Sequence, residues 1–487
     1  MSAETTYRRR MLILAICCMS ILIVSLDVTI VNVALPSIQR ELHAPVSGLQ
    51  WIIDAYTLVL ASFLMLSGST ADRVGRRRIF QIGLVAFTVG SGLCSLAPSL
   101  GWLIGFRMIQ ALGGSMLNPV ALSIIANTFV EPRERARAIG IWGAVVGISL
   151  SLGPVIGGLL VQSVGWRGIF WVNIPIGIAA LVLTTRFVPE SRAEHSRKVD
   201  PVGQILVILA LAGLIYGIIE GPGSGWTSPK IIACFCVSAA AVAGLIFYER
   251  RRPEPLLDVR FFRSAPFSGA TVVAVCAFAA LGGFLLLNTL YLQNVRGYSA
   301  LEAGLFTVPM AAVTIVCSPL SGRLVGTRGP RLPLIVSAVA ITVSGLMLTR
   351  LAVGTSLAWL ITAYVVFGIG FGMVNAPITN TAVSGMPRAQ AGVAAAVAST
   401  SRQVGQSLGV AVIGSVAVSA LVGSFRTGFP AASHVGWWIV AACGVAIGVV
   451  GLISSGRWAR GTAQRTADLL MPAAPSVPVK ARNSITS

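Results

Sequence analysis

The sequence specifies an all-α polytopic membrane protein, and three observations carry that reading. Apolar runs of about 20 residues, the length at which a helix crosses a bilayer, recur along the whole chain. Only 11% of the 487 residues are charged against 55% hydrophobic, and the mean hydropathy is +0.83. A soluble domain carries about 25% charged residues. Finally, arginines cluster in alternate connections between the runs, the pattern by which loops on the cytoplasmic side hold positive charge.

The runs fall approximately at 11–34, 49–69, 79–97, 100–126, 138–162, 168–188, 202–220, 230–248, 266–292, 303–321, 333–352, 357–380, 392–421 and 435–455, fourteen in all. With the N-terminus inside, twenty-eight of the 36 Lys and Arg lie in inner segments. Six lie outside (Arg40, Arg167, Lys230, Arg296, Arg350 and Arg426), and only Arg107 and Arg402 fall within runs. A missed span would invert every later loop, so the count is expected to be even, with both termini cytoplasmic. The formal charge of +20 is therefore topological, and no nucleic-acid partner is expected. MSAETTYRRRM leads into a span followed by further spans, so no cleaved signal peptide is expected. The preference for Arg over Lys points to a GC-rich bacterium.

An internal repeat sets the organisation. Leu100–Pro119 matches Leu357–Ala376, and Gly68, Gly75 and Arg77 recur as Gly322, Gly329 and Arg331. Spans 1–6 thus repeat as spans 9–14, and such repeats are how many transporters enclose a path between halves. The expected division is a cytoplasmic N-terminus at 1–10, a six-helix bundle at 11–190, two inserted helices at 191–260, a second bundle at 261–456, and a disordered cytoplasmic tail at 457–487.

The stretch Ser25–Pro36, SLDVTIVNVALP, places Asp27 inside the membrane. An acid there is costly and faces a protein interior or a water-filled path. It is either paired once for structure or a proton or cation site. Asp54 in span 2 and Arg107 in span 4 lie at a similar depth, all three roughly 8–10 Å from the outer ends of their spans. The expectation is that Asp27 is the main coupling carboxylate, Asp54 a second and Arg107 a switchable counter-charge.

The inner loop GSTADRVGRRR offers Gly68, Asp72, Arg73, Gly75 and Arg77 as gating residues: Asp72 can reach helix ends, the arginines can meet carboxylates or lipid phosphates, and Gly75 permits a tight turn. Span 5 carries Gly147, Gly153, Pro154, Gly157 and Gly158. These allow close helix approach and a kink, properties of a sealing or moving element. Asn32, Tyr56, Gln110, Asn118 and Arg402 are candidates for a substrate path, Arg402 either binding an anionic group, pairing across the halves or snorkelling inward. The three histidines are far apart in loops or at span edges, so no metal site is expected. The eight cysteines fall within spans, so no disulfide framework is implied. No phosphate-binding loop is present.

Taken together, these motifs resemble the fourteen-span drug:proton antiporter family of the major facilitator superfamily. LDVTIVNVALP (Leu26–Pro36) is similar to its span-1 signature, Gly68–Arg78 to the inner-loop signature, and LIGFRMIQALGG (Leu103–Gly114) to the span-4 motif, with Ala111 in place of the usual glycine. Gly147–Gly158 is similar to the antiporter signature, and GWRGIFWVNIPIG (Gly165–Gly177) to the segment entering span 6. The resemblance implies a major facilitator fold of two six-helix bundles plus two inserted helices. It implies alternating access, proton-coupled efflux of drugs or antibiotics across the cell membrane, and hydrophobic, often cationic substrates favoured by Asp54. The alternative is a dedicated exporter of one metabolite such as a siderophore, amino acid or lipid. No enzymatic activity and no cofactor beyond the proton gradient are expected. The partners are protons, small hydrophobic substrates and membrane lipids, and the chain is expected to be a monomer.

Overall fold

The computed structural model describes residues 3–192, 200–252, 255, 256, 258–384, 386 and 390–470. Helices make up nearly all of them: α1 (Ala3–Leu42), α2 (Val46–Val74), α3 (Arg76–Ser95), α4 (Leu100–Thr128), α5 (Pro132–Val164), α6 (Gly168–Trp171), α7 (Asn173–Phe187), α8 (Pro201–Ser224), α9 (Pro229–Glu249), α10 (Ala265–Leu290), α11 (Ala300–Phe306), α12 (Val308–Arg328), α13 (Arg331–Leu348), α14 (Leu357–Val383), α15 (Ala391–Ser419), α16 (Phe425–Ser454) and α17 (Arg457–Leu470).

Each of the fourteen expected segments is helical. Among the described residues, twelve helical segments are long and apolar enough to cross a membrane, and α5, bent by 41° between Arg133–Ser149 and Leu152–Val164, makes a thirteenth if it is one span. Fourteen is not reached by that test. α15 has the length, at 29 residues, but its middle carries Arg402, Gln403 and Gln406.

Local chemistry sets the ends and breaks. Asp200, Ser228, Ser356 and Ser424 accept backbone N–H groups at the starts of α8, α9, α14 and α16, satisfying donors that a helix start leaves open. Ser299 and Glu302 form a reciprocal capping pair at α11. The Ser424 cap starts α16 ten residues before the expected span at 435. Two expected continuous spans are broken, at Val172 between α6 and α7 and at Thr307 between α11 and α12. Pro175 and Pro309 stand just beyond these breaks and lack the N–H that would continue the preceding ladder.

The tail corrects an expectation. Residues 457–470 were expected to be disordered and instead form α17, with Ala459, Ala463, Thr466 and Leu470 buried. Their spacing lines one helix face, and Thr462 Oγ1 accepts the Ala265 N–H at 2.9 Å. Arg197, Lys198, Arg388, Lys480, Arg482 and His195, and the remainder of the tail, lie outside the described residues.

Packing follows the repeat. α1 packs on α5, α2 on α4 and α3 on α4, while α10 packs on α15, α12 on α14 and α13 on α14. α2 meets α15, and α5 meets α11, across the two sets. The inserted α8 lies along the α2–α15 seam. Gln204 Nε2 donates to Ser62 O at 2.7 Å, Trp51 Nε1 to Glu220 Oε1 at 2.8 Å and Ser415 Oγ to Ile218 O at 2.9 Å. Leu58, Ile215, Ile219 and Ala411 fill the space between them.

Candidate functional site

Asp27 is fully buried at the centre of a polar network inside the first bundle. Its Oδ2 meets Arg107 Nη1 at 2.5 Å. Its Oδ1 accepts from Gln110 Nε2 at 2.8 Å and Asn173 Nδ2 at 3.2 Å. Arg107 also donates to Gln110 Oε1 at 2.7 Å and to Ile52 O at 3.3 Å, and its guanidinium lies 4.1 Å from the Tyr56 ring centroid. Ser91 Oγ accepts from both Gln110 and Asn173. A buried ion pair needs such supporting donors and acceptors, because desolvation offsets much of its attraction.

Asp54 is equally buried but belongs to a different surface. Its Oδ1 accepts from Ser407 Oγ on α15 at 2.8 Å and from Thr57 Oγ1 at 3.4 Å, while Oδ2 has no hydrogen-bond partner. Depth alone had grouped Asp54 with Arg107. Helical geometry separates them: Ile52 and Tyr56, four residues apart, share the face that meets Arg107, and Asp54 lies between them on the other side. Gln50, four before Asp54, shares its face and donates to Val410 O at 3.0 Å and Ala411 O at 2.9 Å. Gly414 admits it, since a Cβ there would lie 2.5 Å from Gln50 Nε2.

The glycines of α5 divide along its length. A Cβ at Gly153 would lie 1.9 Å from Thr29 Oγ1, at Gly157 2.8 Å from Ile30, and at Gly158 2.6 Å from the Ala300 carbonyl. Gly304 packs likewise against the Pro154 carbonyl. α5 is thus wedged between α1 and α11 in its C-terminal half. A Cβ at Gly140, Gly143 or Gly147 would meet nothing within 4 Å. The bonds Gln293 Nε2 to Val33 O (2.8 Å) and Asn294 Nδ2 to Gln39 Oε1 (3.0 Å) also join the two halves, at the C-terminal end of α1. Between the halves there, Thr29, Asn32, Pro154, Asn288 and Thr307 line a cavity of about 10 Å³, room for about one water. The halves are therefore closely packed around the C-terminal half of α5.

The inner loop is braced from α7. Gly75 has φ +131°, a conformation natural to glycine, and Glu190 lies against it. Glu190 Oε1 accepts the Arg77 N–H at 3.1 Å, and Arg77 Nη2 donates to Thr185 O at 2.5 Å. Asp72 pairs with Arg76 at 2.7 Å, one turn away, and Arg73 is exposed. Gly68 touches Pro119 on α4.

Of the remaining path candidates, Asn118 Oδ1 is buried without a partner. Arg402 donates to Thr379 Oγ1 at 2.5 Å beside Phe278. Among the described residues no group of three His, Cys, Asp or Glu could hold a metal. Sequence reading missed Asn173, Ser91, Ser407, Gln50 and Glu190. Asn173 alone carried a signal, as the amide in the otherwise apolar FWVNIPIG.

The sequence profile of the Major Facilitator Superfamily matches residues 17–410. The chain belongs to this superfamily. Among its relatives is the multidrug resistance protein Stp of Mycobacterium tuberculosis, 40% identical over 409 residues, which span 84% of this chain and 76% of Stp. The tetracenomycin C resistance and export protein of Streptomyces glaucescens is 38% identical over 396 residues, 81% of this chain and 73% of that one. The multidrug efflux pump LfrA of Mycolicibacterium smegmatis is 32% identical over 415 residues, 85% and 82% of the two chains. In fold, this superfamily member resembles a bacterial homologue of the human drug peptide transporters PepT1 and PepT2, with a TM-score of 0.66 at 15% identity over 95% and 99% of the chains. A D-xylose-proton symporter gives 0.65 at 15% identity over 91% and 96%.

Proposed function

We propose that this protein exports small hydrophobic compounds, cations prominent among them, across the cell membrane in exchange for protons, by alternating access between its two bundles. The observation that carries the reading is the pair of buried acids on two surfaces: Asp27 against Arg107 within the first bundle, and Asp54 against Ser407 between the bundles. Relatives at 32–40% identity are named for drug or antibiotic resistance and export.

In this reading the close packing around the C-terminal half of α5 is the outer seal of an inward-facing state that loads substrate. Protons reaching Asp27 from outside neutralise it, and Arg107 keeps two uncharged acceptors, Gln110 Oε1 and Ile52 O, as its counter-charge is lost. Asp54 reads the same event at the seam, where a change in its charge alters its hold on Ser407. Residues 11–190 and 261–456 move as the two bodies. The outer glycine contacts of α5 open and reclose, and the Glu190-braced loop keeps the first bundle rigid at its inner end. The proton gradient supplies the energy with no bound cofactor. The protein works as a monomer in a multi-pass arrangement with both termini cytoplasmic, its inner arginines against anionic lipid.

Everted vesicles with an imposed pH gradient test the reading. A lipophilic cation dye is expected to accumulate only while the gradient stands, and its addition should speed collapse of the gradient. Accumulation indifferent to the gradient would overturn proton coupling.

A further inference from the structure

Arg107 and Arg402 are the two cations that the sequence places inside expected spans, and the protein treats them differently. Arg107 has a carboxylate, two carbonyl oxygens and an aromatic face. Arg402 lies eleven residues beyond Ala391, the start of α15. That is roughly 16 Å along the helix, about half of a 30 Å hydrocarbon core and deep for a headgroup contact. Among the described residues its one side-chain hydrogen bond goes to the neutral Thr379 hydroxyl at 2.5 Å. Its Nε is buried with no acceptor, and among the described residues no carboxylate comes within ion-pair distance. An ionised group at this depth without a counter-charge faces a water-filled path or a partner that completes it, and the half-buried Arg402 beside the exposed Thr379 is open to both.

The surroundings indicate what the ligand carries. The guanidinium lies 6.0 Å from the half-buried Phe278 ring, which packs edge-on to Phe371 at 5.3 Å. Phe371 stacks in turn near Phe367. Thr379 is exposed, near the C-terminal end of α14. A planar, weakly hydrated guanidinium suits a carboxylate or ionised phenol in two-point contact, and an aromatic wall suits a ring. We propose that Arg402, with Thr379 and Phe278, forms a subsite for the acidic group of an aromatic substrate. The transported compounds then include aromatic carboxylates and phenolates, held at the second bundle, as well as cations drawn to Asp54. This rests on the export reading only in taking the inner opening as the substrate's way in.

The test uses full-length protein in nanodiscs and two tritiated probes alike in shape, 1-naphthoate and the neutral 1-naphthamide, in a scintillation proximity assay. The wild type should bind naphthoate about tenfold more tightly than naphthamide, a factor that one good charged contact supplies. Arg402→Gln should abolish that preference, and Arg402→Lys should keep part of it, because the charge remains while the fork is lost. Thermal melting of each variant checks that it is folded, and the lysine variant carries the test should the glutamine variant not fold. A wild type that binds the two probes equally, or an Arg402→Gln protein that retains the preference, would overturn the subsite. Gradient-driven efflux of tetraphenylphosphonium by the wild type reports separately on the export reading. Efflux without a naphthoate preference removes only the subsite. A preference without efflux supports the subsite and removes only the export reading.

Discussion

Ser407 on α15 donates to the buried Asp54 carboxylate on α2 at 2.8 Å, joining residues 353 positions apart. With Gln50 one turn further out, this bond makes the α2–α15 seam a polar join between the bundles. Removing the donor leaves a buried carboxyl oxygen short of a partner, at a cost of about 1–3 kcal/mol. Ser407→Ala should therefore shift the population away from the outer-sealed state by about 5- to 150-fold. Distances between spin labels on the loops after α1 and after α15 measure this, and an unchanged distribution would show that the bond does not hold the seam.

The glycines of α5 give a contrast within one helix. Gly158→Ala places a methyl 2.6 Å from the Ala300 carbonyl, whereas Gly140→Ala places one in open space. Transport by the first should fall by about tenfold or more, since rigid backbone cannot yield as a side chain does. The second should transport like the wild type. Equal rates for the two variants would contradict the outer seal.

Within the first bundle, Arg107→Gln strands Asp27 and should destabilise the protein by about 3–5 kcal/mol. Asn173→Ala removes one of several donors and should cost only about 0.5–1.5 kcal/mol. Melting temperatures in detergent rank the two, and the reverse order would show that Asn173, not Arg107, is the main support of Asp27.

At the inner face, Gly75→Ala forces a side chain into a backbone conformation at φ +131° and against Glu190. About 1–3 kcal/mol of strain is expected, visible as a lowered melting temperature. Glu190→Gln should lower it less, because the amide oxygen can still accept the Arg77 N–H.

The helices were legible because long apolar runs leave the backbone no other way to satisfy itself in lipid. Asp27 and Arg107 were legible as a pair because charge is rare at that depth. Asp54 was assigned to the same group because residue counting gives depth along a helix, while its direction around the helix decides which neighbour it meets. Ser407, Gln50 and Asn173 are ordinary polar residues whose importance comes from partners distant in sequence. α17 escaped because its buried stripe is mostly alanine and threonine, a pattern that reads as polar tail until the packing surface is present. The breaks at Val172 and Thr307 followed prolines that the apolar runs concealed.

In the proposed cycle Asp27 couples proton entry to substrate exit. Purified wild type and Asp27→Asn, matched for folding by thermal melting, should be reconstituted in liposomes with a pH-sensitive dye inside and an imposed proton gradient. Adding tetraphenylphosphonium should drive proton movement through the wild type and none above background through the variant, while the variant still binds the cation. Undiminished substrate-driven proton flux through Asp27→Asn would contradict the claim.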